Sequence, residues 1–372
     1  MCYNQITIVS IYYSTYFFAK RVNFKGFYAL VNYIYAFKLN LEGVKILKKH
    51  SLLLILMLVV GMVLAACGTS NDGNAGGDGD GDGWVSDITI LTGGEQGVYF
   101  PLGGAMARII TENVENVTAT GVSSGASVVN SNDIHDGKAE IALVQNDIAF
   151  YAHEGSQMFT DKTDNFYGIA TLYPEVVQIV TSANSGITTV EDLKGKRVAV
   201  GDQGSGAEAN ARQILEVHGI TYDDITAEYM AFGDAANEIQ NGNIDAAFIT
   251  AGTPTGAIEA LKTSTDIAIV SITADKIKEL SEKYPYYTSF DIPASVYGTT
   301  GDATTVAVQA MIIVSKSLSD DQVYEMTKAL FENLDVLAGT HARGADVTLE
   351  TALDGMSIEV HPGAQRYYDE VK

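Results

Sequence analysis

From Ile88 onward one unit recurs along the chain: a short apolar strand, a loop of Gly, Ser, Thr or Gln, and an amphipathic helix. The first unit is Ile88 to Leu91, TGGEQGVYFP, and a helix over about 102–112. The second is Val117 to Thr120, GVSSG, and a helix from Ala126. The third is Ile141 to Val144, Gln145-Asn146, and a helix through Ala149. After a strand at Val176 to Thr181 come Arg197 to Val200, GDQGSG and a helix over 207–218. Ala246 to Ile249, TAGTPT and a helix over about 256–262 close the series. Strands alternating with helices predict parallel α/β sheets, in which ligands bind outside the carboxyl ends of the strands. The loops after the strands are therefore the expected site.

Glycine and serine at a helix start let backbone N–H groups point at a bound group, so these loops favour small polar or anionic ligands. Burying a carboxylate costs several kcal/mol. Three or four charge-assisted hydrogen bonds at about 1.5 to 3 kcal/mol each offset that, so several loops must converge. Tyr99, Tyr173 and Gln145, at strand ends, add shape and directional hydrogen bonds, the alternative for each being a satisfied structural polar residue.

Three catalytic or cofactor patterns compete with simple binding. Gly121 to Gly125 fits G-x-S-x-G between a strand and a helix, the setting of a nucleophile elbow, with His341 and His361 downstream. Ser123 comes too early in the domain for the strands and oxyanion loop that precede such an elbow. Gly204 to Ala209 fits G-x-G-x-x-A, but Asp202 and Gln203 lengthen the turn and no acidic residue clearly ends the next strand. Gly201 to Gly206 has Walker-like spacing, yet Ala207-Glu208 replaces the Lys-Ser/Thr that neutralises phosphate and holds magnesium. No enzymatic activity and no cofactor are expected.

The N-terminal part reads differently. Lys45, Lys48, Lys49 and His50 precede an apolar run from Leu52, the charged and apolar regions of a secretory signal. The run to Cys67 is shorter than the roughly 20 residues a membrane-crossing helix needs. Leu64-Ala65-Ala66-Cys67 resembles a bacterial lipobox, which implies cleavage before Cys67 and its acylation as a membrane anchor. Residues 1–43 carry seven of the 20 tyrosines and fit no such plan; they are expected to be a mis-assigned extension, with Val44 as the alternative start, or else an additional membrane-associated segment. Residues 44–66 are then the signal peptide and 67–85 the lipidated cysteine with a Gly/Asp linker, too poor in apolar residues to offset ordering entropy. Asp78, Asp80, Asp82 and Gly83 match the front of a calcium loop, but Thr89 stands where its bidentate glutamate belongs, so a linker is favoured over an ion site.

Charge and cysteine content narrow the function classes. Residues 1–66 carry seven Lys/Arg and one Glu, so the whole-chain −23 leaves −29 on the remainder. Such a surface repels phosphate backbones and predicts no nucleic-acid partner. No cysteine follows Cys67 and no two of the six histidines stand at i, i+4, so neither a disulfide framework nor a zinc site is expected.

The runs GGEQGVYFPLGGAMARI, SSGASVVNSNDIHDGKAEIALVQNDIAFYA, LYPEVVQIVTSANSGITTVEDLKGKRVAVGDQGSGAEANARQIL, IDAAFITAGTPTGAI and HPGAQRYYDE, in that order, resemble a solute receptor of the TAXI branch of TRAP transporters. TTVEDLKGKRVAV alone is shared more widely among type II periplasmic binding proteins. The resemblance implies a type II Venus-flytrap fold, with lobe 1 over 86–174 and 314–372 and lobe 2 over 175–313. It implies capture of glutamate or a related amino acid or small organic acid for an ion-driven membrane permease, from the outer face of the membrane. Family ligand positions carry over onto Gly97, Tyr99, Ser123, Gln145 and Tyr173, and onto Gly204, Ser205 and Gly206. Thr253 faces them from the second lobe. Ala207 replaces the threonine of the family's GSGT, removing one hydroxyl contact.

Hinges are expected near Pro174 to Val177 and near Met311 to Val314. A last helix capped by Ser319 and Gln322 should carry Val323, Met326, Leu330, Leu334 and Leu337 into the core. Two alternatives stand beside the TRAP receptor: a ligand-sensing protein, or the binding component of an ABC-type importer, on the same scaffold.

Overall fold

The structure is a computed structural model that describes residues 84–372. The signal segment, Cys67 and the Asp78 to Gly83 run lie outside the described residues.

Strands β1 (Asp87–Leu91), β2 (Thr118–Val122) and β3 (Ile141–Gln145) form a parallel set in the order β2-β1-β3. Strand β4 (Phe166–Ser182) leads to a second parallel set in which β5 (Arg197–Gly201) lies between β6 (Thr226–Tyr229) and β7 (Ala246–Ala251). The strands β8 (Ile267–Val270), β9 (Thr288–Ile292) and β10 (Ala303–Ser315) complete the sheet.

Two long antiparallel strands tie the sets together. β10 pairs with β3 through Ala310 to Val314 and with β9 through Ala303 to Ala307. β4 pairs with β10 up to Val176, then with β7 and β8 from Val176 to Ser182. β4 thus changes partners at the expected hinge of Pro174 to Val177. In β10 the change falls at Ala307 to Ala310, next to a register irregularity between Gln309 and Met311, while Met311 to Val314 are paired with β3 throughout. The sequence reading finds only the Val176 to Thr181 half of β4 and none of β10, because neither strand is followed by the helix that completes a parallel crossover.

The helices are α1 (Tyr99–Asn113), α2 (Ser127–His135), α3 (Asn146–Glu154), α4 (Gly206–Val217), α5 (Phe232–Gln240) and α6 (Gly256–Leu261). They are followed by α7 (Ala274–Lys283), α8 (Ala294–Tyr297), α9 (Asp320–Phe331), α10 (Leu334–Thr340) and α11 (Pro362–Val371). Alternate residues of β3 enter opposite core clusters: Ile141 and Leu143 join α1, α5, α6 and α9, whereas Ala142 and Val144 join α2, α3, α4 and α7. Helices therefore cover both faces, as near-continuous apolar parallel strands require. Ser319 caps α9 by accepting from the Gln322 backbone N–H. The expected C-terminal stripe is split between α9 and α10; Val323, Met326, Leu330 and Leu337 are buried and Leu334 is partly so. Among the described residues no helix is long and apolar enough to cross a membrane.

Candidate functional site

A cavity of about 50 Å³ opens where the loops beyond the carboxyl ends of the parallel strands meet. That is several times the roughly 10–15 Å³ one water molecule requires, and suits a small solute. The β1–α1 loop contributes Gly93, Gly94 and Gly97, and Val98 and Tyr99 follow at the start of α1; the β2–α2 turn contributes Ala126 and Ser127. Gln145 closes β3, and Glu175 comes from the crossing segment of β4. From the second set come Asp202, Ser205, Gly206 and Ala207 after β5, Phe232 at the start of α5, and Thr250 and Ala251 at the end of β7.

Four helices, α1, α2, α4 and α5, start at this cavity, so their unpaired N-terminal N–H groups and positive dipole ends lie around it. Ser205 caps α4 by accepting from Glu208 N at 3.1 Å, which leaves its hydroxyl proton free to donate. Gly206 is required by close packing: a Cβ there would sit 1.7 Å from Gln145 Oε1.

The floor is acidic and hydrogen-bonded. Glu175 is 3% exposed and accepts from the Tyr99 hydroxyl at 2.8 Å. Burial pushes its carboxyl up to about 8, with the Asp147 charge adding to the rise and the Tyr99 and Gln145 hydrogen bonds opposing it. Tyr99 is in turn raised well above the ordinary phenol range, chiefly by burial and then by Glu175. Behind them, Gln145 Nε2 donates to Asn210 Oδ1 at 2.9 Å, and Asn210 Nδ2 donates to Asp147 Oδ2 at 3.1 Å and to the Tyr287 hydroxyl at 2.7 Å. Asp147 is fully buried and raised to about 7 by desolvation. This relay fixes the amide of Gln145 and turns its Oε1, which has no protein partner, to the cavity wall at Gly206. The Thr250 hydroxyl is likewise buried, unpartnered and part of the lining. At the mouth, burial and the neighbouring Asp234 raise the Asp202 carboxyl.

Of the residues expected from the sequence, Gly97, Tyr99, Gln145, Ser205 and Gly206 meet in this cavity. Gly204, at φ +80°, shapes the turn and packs near Val129 without lining the space. Tyr173 is buried two residues before Glu175, packed on Gly252, and Thr253 is buried beyond the cavity wall. Ser123 is exposed and outside the cavity; Ala126, at φ +63°, turns the chain so that Ser127 faces inward instead. The nucleophile-elbow pattern is not completed either. His341 Nδ1 accepts from Arg343 N and His361 Nδ1 from Gly363 N, each beside its own turn. Missed from the sequence were Ser127, Glu175, Asp202, Phe232 and Thr250. Glu175 did leave a signal, a single carboxylate inside the otherwise apolar run LYPEVVQIV.

Residues 90–371 match the NMT1-like family. The chain belongs to that family. The match is to the NMT1-like family as a whole and does not single out the TAXI branch. A curated Escherichia coli (strain K12) relative, whose name is that of an aliphatic sulfonates-binding protein, is 32% identical over 107 residues, 27% of this NMT1-like chain. The match spans 33% of that relative's length. Among solved structures, MatC from Rhodopseudomonas palustris with bound malate superposes with a TM-score of 0.50 at 14% identity, covering 77% of this chain and 99% of that one. The alkanesulfonate-binding protein SsuA from Xanthomonas axonopodis pv. citri, bound to MOPS, gives a TM-score of 0.47 at 16% identity, over 77% and 84% of the two chains. The fold is the mixed α/β, type II periplasmic-binding-protein fold.

Proposed function

We propose that this chain is the extracytoplasmic solute-binding component of a membrane importer and holds one small anionic or zwitterionic solute between two lobes. One observation carries the reading: a single cavity is walled by loops from both parallel strand sets, which are joined by β4 and β10. Lobe 1 over 86–174 and 314–372 and lobe 2 over 175–313 then close about the points where the two strands change partners. Tyr99, Ser127 and Gln145 contact the solute from one side, and Ser205, Gly206 and Thr250 from the other. A solute favours the closed state only by the difference between its affinities for closed and open forms, so groups from both lobes must touch it. In this reading the cavity residues bind and do not catalyse.

We favour an ATP-driven, ABC-type importer as the partner over the TRAP permease suggested by the TAXI-like motifs, because the family match does not single out the TAXI branch and a sulfonates-binding protein is among the relatives. The lipid anchor at Cys67 would keep the protein at the outer face of the membrane in either case. A thermal-shift screen of the purified protein against amino acids, dicarboxylates, sulfonates and nucleotides, followed by calorimetry, tests the reading. Binding to the native state adds about 2.7 kcal/mol at a hundred times Kd. A solute hit weakened by Ser205→Ala combined with Tyr99→Phe supports it, and a shift with nucleotide alone overturns it.

A further inference from the structure

Gln96 stands in the β1–α1 loop between Gly94 and Gly97, which line the cavity, but is itself outside the lining. It meets the starts of two helices that belong with the second strand set. Its carbonyl accepts from Ala257 N, in the first turn of α6, at 3.2 Å, and its side chain packs on Gly233, in the first turn of α5. Ala257 is buried, and its N–H is among those that have no partner within their own helix, so Gln96 supplies the acceptor it needs. A Cβ on Gly233 would stand 2.7 to 2.9 Å from Gln96 Cδ, Oε1 and Nε2, and one on Gly256 would stand 3.2 Å from the Gln96 carbonyl oxygen. At both glycines the nearest atoms in the way all belong to Gln96. Neither has the left-handed backbone that calls for glycine, and glycine weakens a helix relative to alanine. The close approach of Gln96 therefore accounts for the missing side chains. A second main-chain bridge between the same halves runs from Val129 N to Gly204 O at 3.2 Å.

We propose that Gln96 is a positioning residue, a latch that seats the β1–α1 loop on α5 and α6, shuts the cavity mouth and sets how long a solute stays. The inference rests on the solute-binding reading above and adds a control of release that lies outside the solute contacts. Every latch contact is between protein atoms, so the latch favours the closed arrangement whichever solute is held. It forms after the solute has entered, so its loss should speed departure and leave entry unchanged. A side chain at Gly256 acts as a wedge against it. The atom in its way is a backbone oxygen, which cannot rotate aside as the Gln96 side chain can at Gly233.

Gly256→Val tests the latch, and a circular-dichroism melt establishes that the variant is folded; Gly256 is exposed, and its backbone admits a side chain. The first measurement is amide hydrogen exchange, followed by NMR, on the purified protein without solute. The Ala257 amide should be protected in the wild type and exchange about 3- to 10-fold faster in the variant, the range of one net hydrogen bond, while the β7 amides are unchanged. The second is stopped-flow release with L-glutamate, malate and an alkanesulfonate as probes. Any probe that binds should leave the variant about 3- to 10-fold faster at an unchanged association rate. An Ala257 amide that is unprotected in the wild type, or equally protected in both proteins, overturns the latch, and so does an unchanged release rate. The wild-type exchange result stands without the variant. Because the exchange comparison needs no solute, the latch can fail while solute binding survives, and it is decided even where none of the probes binds.

Discussion

Glu175 makes the apo protein sensitive to pH in a direction that can be worked out. Its carboxyl is buried with no cation beside it, and is pushed from the ordinary 4.5 to about 8. A carboxyl with a higher pKa in the folded than in the unfolded chain holds its proton more tightly when folded. Its contribution is therefore fully present below about 4.5 and is lost as pH rises toward 8. Each tenfold change in proton affinity is about 1.4 kcal/mol, so keeping Glu175 ionised in the empty cavity costs about 5 kcal/mol above pH 8. Glu175→Gln keeps the shape and the Tyr99 hydrogen bond without the charge. In urea denaturation of wild type and variant, stabilities should differ by less than about 1 kcal/mol at pH 5, and the variant should be more stable by about 4 to 5 kcal/mol at pH 9. Asp147, raised to about 7, adds a drift of the same sign, while burial lowers His153, His341 and His361 and costs stability as pH falls. These groups are common to both proteins, so the difference between the two curves isolates Glu175 together with its coupling to Asp147. A constant gap from pH 5 to pH 9 would refute the assignment of an unpaired buried carboxylate.

Two further substitutions probe the cavity wall and its support. Gly206→Ala drives a Cβ to within 1.7 Å of Gln145 Oε1, so the relay must shift; a loss of about 1 to 3 kcal/mol is expected in thermal melts, with solute binding reduced at least as strongly. Asn146 Oδ1 accepts from Gln309 N at 3.0 Å, next to the β10 irregularity, and its Nδ2 donates to Gly355 O at 2.9 Å, so Asn146→Ala should cost about 2 to 3 kcal/mol in urea denaturation. A wild-type midpoint for this variant would show that the β10 crossing needs no such clamp.

The parallel half of the fold was legible because its units repeat. An apolar run ending in Gly, Ser or Thr and followed by helical periodicity identifies a strand, its loop and its helix together, and β1, β2, β3, β5 and β7 all have that form. The crossing strands lacked it. Phe166 to Leu172 and Ala307 to Ala310 are joined to the sheet antiparallel, through pairings 130 residues and more apart in sequence. Within the site, Tyr99, Gln145, Ser205 and Gly206 were readable because position at a strand end or helix start is local information. Ser123, carried over from the family resemblance, lies outside the cavity lining, and Ser127 lines it beyond the left-handed turn at Ala126, which no sequence spacing announces. Glu175 faces the cavity only because β4 passes from one strand set to the other at that residue, and no local pattern encodes this.

The account's central claim, that one small solute is held in this cavity between the two strand sets, is tested most directly by blocking the space. Gly94 lines the cavity, and a Cβ there meets only Ala231 at 4.0 Å, so Gly94→Trp should fold like the wild type while its indole occupies the cavity mouth. The measurement is calorimetric titration of wild type and Gly94→Trp with the tightest solute from the screen. The account predicts one site per wild-type chain and a loss of binding of at least about 100-fold in a variant with an unchanged melt. Undiminished binding to the blocked protein would contradict it and place the solute elsewhere.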